Sequence, residues 1–184
     1  SDGSLSVDPA GLDQEFIEDP RQGTLIGTLH GNHRQILGRL ADTLHISDYQ
    51  IETPVVDLSG ILTSIGGEIL QQFEVTFDQS NREVAFYRPG DDFVIPAEPK
   101  ISSGISFVKV SAYWRITAIA PASPASAAGF SIGDLVIRIN GEPVDAWDLT
   151  RYQALIDAGG TIEYTLLQGR EEVTVTADTF ALVP

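Results

Sequence analysis

The sequence contains no cysteine. Disulfides, thiolate nucleophiles and Cys-based metal sites are therefore excluded. Positive charge is scarce, with 11 Lys and Arg against 26 Asp and Glu and a formal net charge of −15. A phosphate-binding surface needs clustered cations, so nucleic acid is not an expected partner. The acidity serves solubility and at most a preference for basic peptides. No apolar run approaches the roughly 20 residues of a membrane-spanning helix. An initiating methionine and a leader are also missing, and residue 1 is expected to be a boundary with further segments upstream. What is present is ordinary for a globular chain: 184 residues and 42% hydrophobic content, enough for one large or two small domains.

Residues 1–20 are polar and acidic and read as loop. Residues 24–29 and 35–46 read as extended, with Gly31-Asn32 as a tight turn between them. Residues 50–58 form another strand candidate, and 64–73 read as a glycine-rich turn entering a short helix. FEVTFD and EVAFYR alternate on either side of a QSN turn, which predicts a hairpin. Residues 89–103 hold three prolines and two adjacent aspartates and read as a linker. Strands are expected at 104–110, 114–120 and 134–139, the last closed by Asn140-Gly141. A short helix over 123–128 has Ser123 as N-cap, Pro124 at its first position and Gly129 as its stop. A longer helix over 147–158, with Asp145 as its candidate N-cap, ends at Gly159-Gly160. A last hairpin joins 161–167 to 171–177.

The stretch SPASAAGFSIGDLVIRINGEPV resembles the middle of bacterial PDZ domains. The resemblance implies a PDZ-like β-sandwich or partial barrel with two helices over residues 96–184. It also implies binding of extended peptides or protein C-termini by strand addition. In that family the terminal carboxylate is held by backbone N–H groups of a loop, which falls here on Ser102-Ser103-Gly104-Ile105. The implied peptide-binding residues are Ser103, Gly104, Ile105, Ser106 and Phe107, with Tyr152, Leu155 and Ile156 from the longer helix. Plain core packing is the competing reading for each apolar residue taken alone. The loop departs from the usual Gly-φ-Gly-φ form, having serine at its first two positions.

GGEILQQFEVTFDQSNREVAFYRP resembles the closing segment of retropepsin-like aspartic proteases, and residues 27–59 resemble the flap hairpin and the strands after it. This implies a partial retropepsin-like β module over residues 1–95, hence a mainly β chain with short helices. It also implies a parent aspartic endopeptidase, with a homodimer as one candidate assembly, in the bacterial envelope (periplasmic or secreted). The family's chemistry needs an Asp-Thr-Gly or Asp-Ser-Gly turn that presents paired carboxylates. This sequence has neither, so no catalytic residue is assigned and the chain is expected to be inactive. The nearest imitation is Val55-Val56-Asp57-Leu58-Ser59-Gly60, where one extra residue separates Asp57 from Ser-Gly; Asp57 is read as structural. The competing class is a non-enzymatic peptide-binding scaffold with a degenerate protease-like half. His30 and His33 flank Gly31-Asn32, but rings on a turn need not converge, so they read as exposed polar residues. No metal or cofactor is expected.

Overall fold

The computed structural model describes residues 5–11, 14–28, 31–60, 62–90 and 92–184. The protein is mainly β with a few short helices. It divides into two compact units: Ser1–Arg21 with Gln35–Pro99 and Val183, and Gln22–Arg34 with Lys100–Leu182 and Pro184.

The first unit is built from short strands. Val55–Asp57 pairs in parallel with Leu5–Ser6 and antiparallel with residues 37–39 of the strand Gly31–Arg39. Tyr49–Glu52 lies between Leu44–Ile46 and Val94–Pro96. The predicted hairpin forms, Glu74–Asp78 against Glu83–Tyr87. One cluster buries Leu5, Val7, Leu40 and Val56, and another buries Ile46, Tyr49, Ile51, Phe73 and Ile95. Gly38 permits a close approach, since a Cβ there would lie 2.7 Å from the Phe16 ring. The Arg39 guanidinium donates to the carbonyls of Thr53 (2.8 Å) and Glu98 (3.1 Å).

Three expectations need correction here. Gly31 and Asn32 begin a strand rather than make the turn; residues 29–30, His30 among them, lie outside the described residues. The single strand expected over 50–58 is split, because Thr53 takes a positive φ of 44° and Pro54 follows it. Residues 89–103 do not run free, since they carry the strands Val94–Pro96 and Lys100–Ser102, and Ile95 is buried. Asp57 is itself buried and accepts bonds from Ser59 N (2.8 Å) and Ser59 Oγ (2.5 Å), with Gln35 Nε2 at 3.4 Å.

In the second unit, β1 (Lys100–Ser102) leads through a tight loop into β2 (Ile105–Val110) and β3 (Tyr113–Ile119). Then come α1 (Pro124–Ala127), β4 (Leu135–Ile139), β5 (Glu142–Pro143), α2 (Leu149–Asp157), β6 (Thr161–Gln168), β7 (Glu171–Asp178) and β8 (Phe180–Val183). The main sheet runs β2-β3-β4-β6-β7, with β5 on β4, while β1 pairs with β8. Alternation along β3 and β6 sends Trp114, Ile116, Ile162, Tyr164 and Leu166 into one core, which Val136 and Ile139 of β4 join across a break in register between Val136 and Arg138. Asn140 (φ 49°) and Gly141 (φ 77°) make the expected turn between β4 and β5. Ser123 caps α1 by accepting from Ser126 N at 3.1 Å. The cap of α2 is Asp148, not Asp145: the Asp148 carboxylate accepts from Arg151 N at 2.7 Å, while Asp145 lies in a 3₁₀ turn over Val144–Ala146.

Candidate peptide-binding groove

β2 is the end strand of its sheet; among the described residues its one partner is β3, in antiparallel register from Ile105↔Ile119 to Val110↔Tyr113. A sheet edge of this kind leaves backbone donors and acceptors available for a further strand. The register slips between Ser106 and Phe107, a bulge that re-aims the side chains on either side of it.

The loop that feeds β2 has a demanding geometry. Gly104 holds a φ of 75°, in the left-handed region, and a Cβ there would sit 2.7 Å from Ser123 Oγ and 2.8 Å from Ser123 Cβ. Only glycine meets both conditions without strain. Its carbonyl accepts from Ala120 N at 2.7 Å, which ties the loop to the end of β3. The loop's own serines occupy two of its N–H groups: Gly104 N donates to Ser102 Oγ at 3.0 Å and Ile105 N to Ser103 Oγ at 3.3 Å. These hydroxyls thus stand where the sequence reading placed a ligand carboxylate.

The residues expected to line the groove divide by face. Ile105, Tyr152 and Ile156 are buried in one cluster, with Phe107 and Leu155 half-buried against it. The Phe107 ring meets Trp114 and Tyr152, each at 5.6 Å between centroids and near edge-to-face. Ser106 belongs to a different contact: its Oγ accepts from Leu25 N at 2.7 Å, and Arg34 Nη1 reaches Ile119 O at 3.2 Å. The segment Gln22–Arg34 is thereby joined to β2 and β3 within this unit.

Beneath the groove the hydroxyls of Tyr152 and Tyr164 bond each other at 2.7 Å. Burial pushes the Tyr152 phenol up to about 12, against a smaller downward pull from Ser103. Tyr164 is also raised, first by burial and then by its proximity to Tyr152. Both therefore stay neutral at physiological pH and work as a structural hydrogen-bonded pair.

Sequence reasoning passed over Lys109, Trp114, Trp147 and Tyr164 as groove neighbours. Lys109 sits two residues beyond Phe107 on β2, and its Nζ donates to Trp147 O at 2.5 Å. The i, i+2 series Ile105-Phe107-Lys109 was the available signal. Among the described residues no group of three or more His, Asp or Glu could hold a metal ion, and no helix is long and apolar enough to cross a membrane.

No curated protein matches the chain. Similar solved structures include a PDZ domain protein from Parabacteroides distasonis, 18% identical, over 45% of this chain and 20% of that one, with a TM-score of 0.40. The HtrA3 PDZ domain bound to a phage-derived ligand is 19% identical, over 45% of this chain and 88% of that one, TM-score 0.40. A serine endoprotease from Yersinia pestis is 14% identical, over 94% of this chain and 65% of that one, TM-score 0.38. Likeness at this level carries no argument about mechanism, and it lends the retropepsin resemblance no support. The family model described as a PDZ domain matches residues 115–169, from β3 to the turn after β6. Over those residues, and not over half of the chain, the protein is similar to PDZ domains.

Proposed function

We propose that the second unit binds an extended peptide by strand addition to β2, with the ligand lying between β2 and α2. The observation that carries this is the free edge of β2 beside the half-buried Phe107 and Leu155, in a chain matched by a PDZ family model. A ligand terminus falls at the loop Ser102–Ile105, where a carboxylate replaces the two serine hydroxyls as acceptor. The exchange favours the ligand because a charge-assisted bond is roughly twice as strong as a neutral one. Pocket roles are assigned to Ser103, Gly104, Ile105 and Phe107 on one side and Tyr152, Leu155 and Ile156 on the other; Ser106 contributes its backbone alone. Titration of C-terminal peptides into isotope-labelled protein should shift the amides of Ser103–Phe107 and of α2. Shifts confined to other segments would remove the assignment.

A second reading concerns the parent protein. The first half is proposed to be the closing part of a retropepsin-like aspartic protease, supported by the sequence pattern over 66–89 and the hairpin that forms there. The PDZ domain would then recruit substrate or gate the protease, as a dimer in the bacterial envelope. The alternative is a peptide-binding scaffold without catalysis. This chain, lacking Asp-Thr-Gly and Asp-Ser-Gly, is expected to hydrolyse nothing. Pepstatin-sensitive cleavage of a peptide library by the pure chain at mildly acidic pH would refute that. Crosslinking and cell fractionation test the dimer and the location.

A further inference from the structure

The chemistry of the ligand can be taken further, on the footing of the peptide clamp just proposed. Ile105, Phe107 and Lys109 alternate along β2, and four residues of strand place Lys109 about 13 Å from the loop end. Its ammonium crosses to the other wall of the groove, donating to the carbonyl of Trp147, the residue before the N-cap of α2. It also lies 5.4 Å from the centre of the Trp114 ring. Among the described residues no carboxylate pairs with Lys109. The neighbouring Arg151 differs: it is paired with Glu142 at 2.6 Å and stacked over Trp147 at 3.9 Å. Trp114 and Trp147, which flank the ammonium, each bury an indole N–H that has no acceptor among the described residues. Lys109 thus gives this end of the groove a positive charge that no carboxylate among the described residues pairs with.

We infer that Lys109 is a specificity-determining residue that selects ligands with a carboxylate side chain facing it from the bound strand. The loop precedes β2, so a ligand ending at the loop runs antiparallel to β2. Side chains that share the groove face with the terminal one then stand two and four residues before it. Those are the positions Lys109 reads. A ligand carboxylate replaces the Trp147 carbonyl as acceptor and converts a neutral-acceptor bond into an ion pair.

The chain's net charge of −15 argues in the opposite direction, toward basic ligands. Distance decides between them. At physiological salt, charges beyond about 8 Å are largely screened, whereas a contact pair at a partly buried site is not. The overall charge slows the approach of an acidic peptide, and the Lys109 contact slows its departure.

The experiment uses the intact chain and labelled octapeptides of Gly and Ser that end in Trp-Val. Each carries Glu, Gln or Lys at the second, third or fourth residue before the terminus. Glu at the second or fourth place should bind about fivefold tighter than Gln, with the gain in the dissociation rate. Glu at the third place, on the opposite face, should gain nothing. Lys109→Met should lose the preference for Glu over Gln whatever its absolute affinity for either, whereas Lys109→Arg should keep it. Should Met disturb folding, Lys109→Gln serves as the neutral variant. No gain for Glu at either position, an equal gain at the third, or a preference that survives Lys109→Met would overturn the inference while leaving the clamp intact. Failure of every peptide to bind the unsubstituted protein would overturn the clamp, and this inference with it.

Discussion

Replacing Gly104 by alanine tests how much of the groove rests on one residue. Two penalties add. The left-handed backbone costs an L-residue roughly 1–2 kcal/mol. The new methyl would lie 2.7 Å from Ser123 Oγ and 2.8 Å from Ser123 Cβ. Overpacking of that kind costs about 1–3 kcal/mol. Ser123 cannot simply move aside, because its hydroxyl caps α1 and donates to Ala120 O at 2.7 Å. The sum is about 2–5 kcal/mol, a large share of the roughly 5–15 kcal/mol that holds a typical domain together. Gly129→Ala is the control, since it has a φ of 93° and nothing within 4 Å of the added Cβ. It incurs the backbone penalty alone, about 1–2 kcal/mol. Urea unfolding followed by tryptophan fluorescence reads the right unit, because both tryptophans, Trp114 and Trp147, lie in the second one. If the two variants are destabilised equally, the steric argument at Ser123 is wrong. If Gly104→Ala is neutral, so is the claim that this loop requires glycine.

Three further outcomes follow from the same geometry. Because Tyr152 and Tyr164 ionise later in the folded than in the unfolded state, their contribution to stability is complete below about pH 10 and should fall at up to about 1.4 kcal/mol per pH unit for each tyrosine above it. Ultraviolet difference titration should show two of the five tyrosines resisting ionisation until the chain unfolds, and Tyr152→Phe should remove one of them. Ser106→Ala removes the acceptor of Leu25 N, so hydrogen exchange at the Leu25 amide should quicken, with a loss of about 1 kcal/mol; unchanged exchange would mean the bond is not made in solution. Arg39→Met strips the donor from the Thr53 and Glu98 carbonyls and should destabilise the first unit by about 1.5–3 kcal/mol, measurable by circular dichroism during unfolding.

What the sequence disclosed and what it hid follow from the range of each interaction. The hairpin Glu74–Asp78 with Glu83–Tyr87, the Ser123 cap and the Asn140-Gly141 turn are encoded in neighbouring residues, and all were legible. The strands inside residues 89–103 were not, because three-residue strands show no alternation and Val94–Pro96 finds its partner more than forty positions upstream. The cap of α2 was misplaced by three residues: two aspartates precede the helix, and only the backbone path selects Asp148. Ile105, Phe107, Tyr152 and Ile156, named from pattern and resemblance, pack in or against one cluster. The contact of Ser106 with Leu25 was hidden because the two are 81 residues apart. The i, i+2 series puts Lys109 on one face with Ile105 and Phe107, but its partner Trp147 is 38 residues away.

The second unit gathers residues 22–34 from one end of the chain and 100–182 from the other, with the bulk of the first unit between them. A nascent chain must therefore leave an early segment waiting. Leu25 meets Ser106 across 81 positions and Arg34 meets Ile119 across 85. Closing loops of that length adds entropy only logarithmically, so the finished fold loses little stability. The time needed is another matter, because widely separated partners slow folding far more than they weaken its product. Synthesis order thus sets a sequence of events: residues 35–99 can consolidate first, and β2 and β3 acquire their backing from Leu25 and Arg34 only after they have emerged. Chains that begin after Arg34 would carry β2 and β3 intact in sequence and lack that backing, a difference to be read in refolding rate before it is read in equilibrium stability.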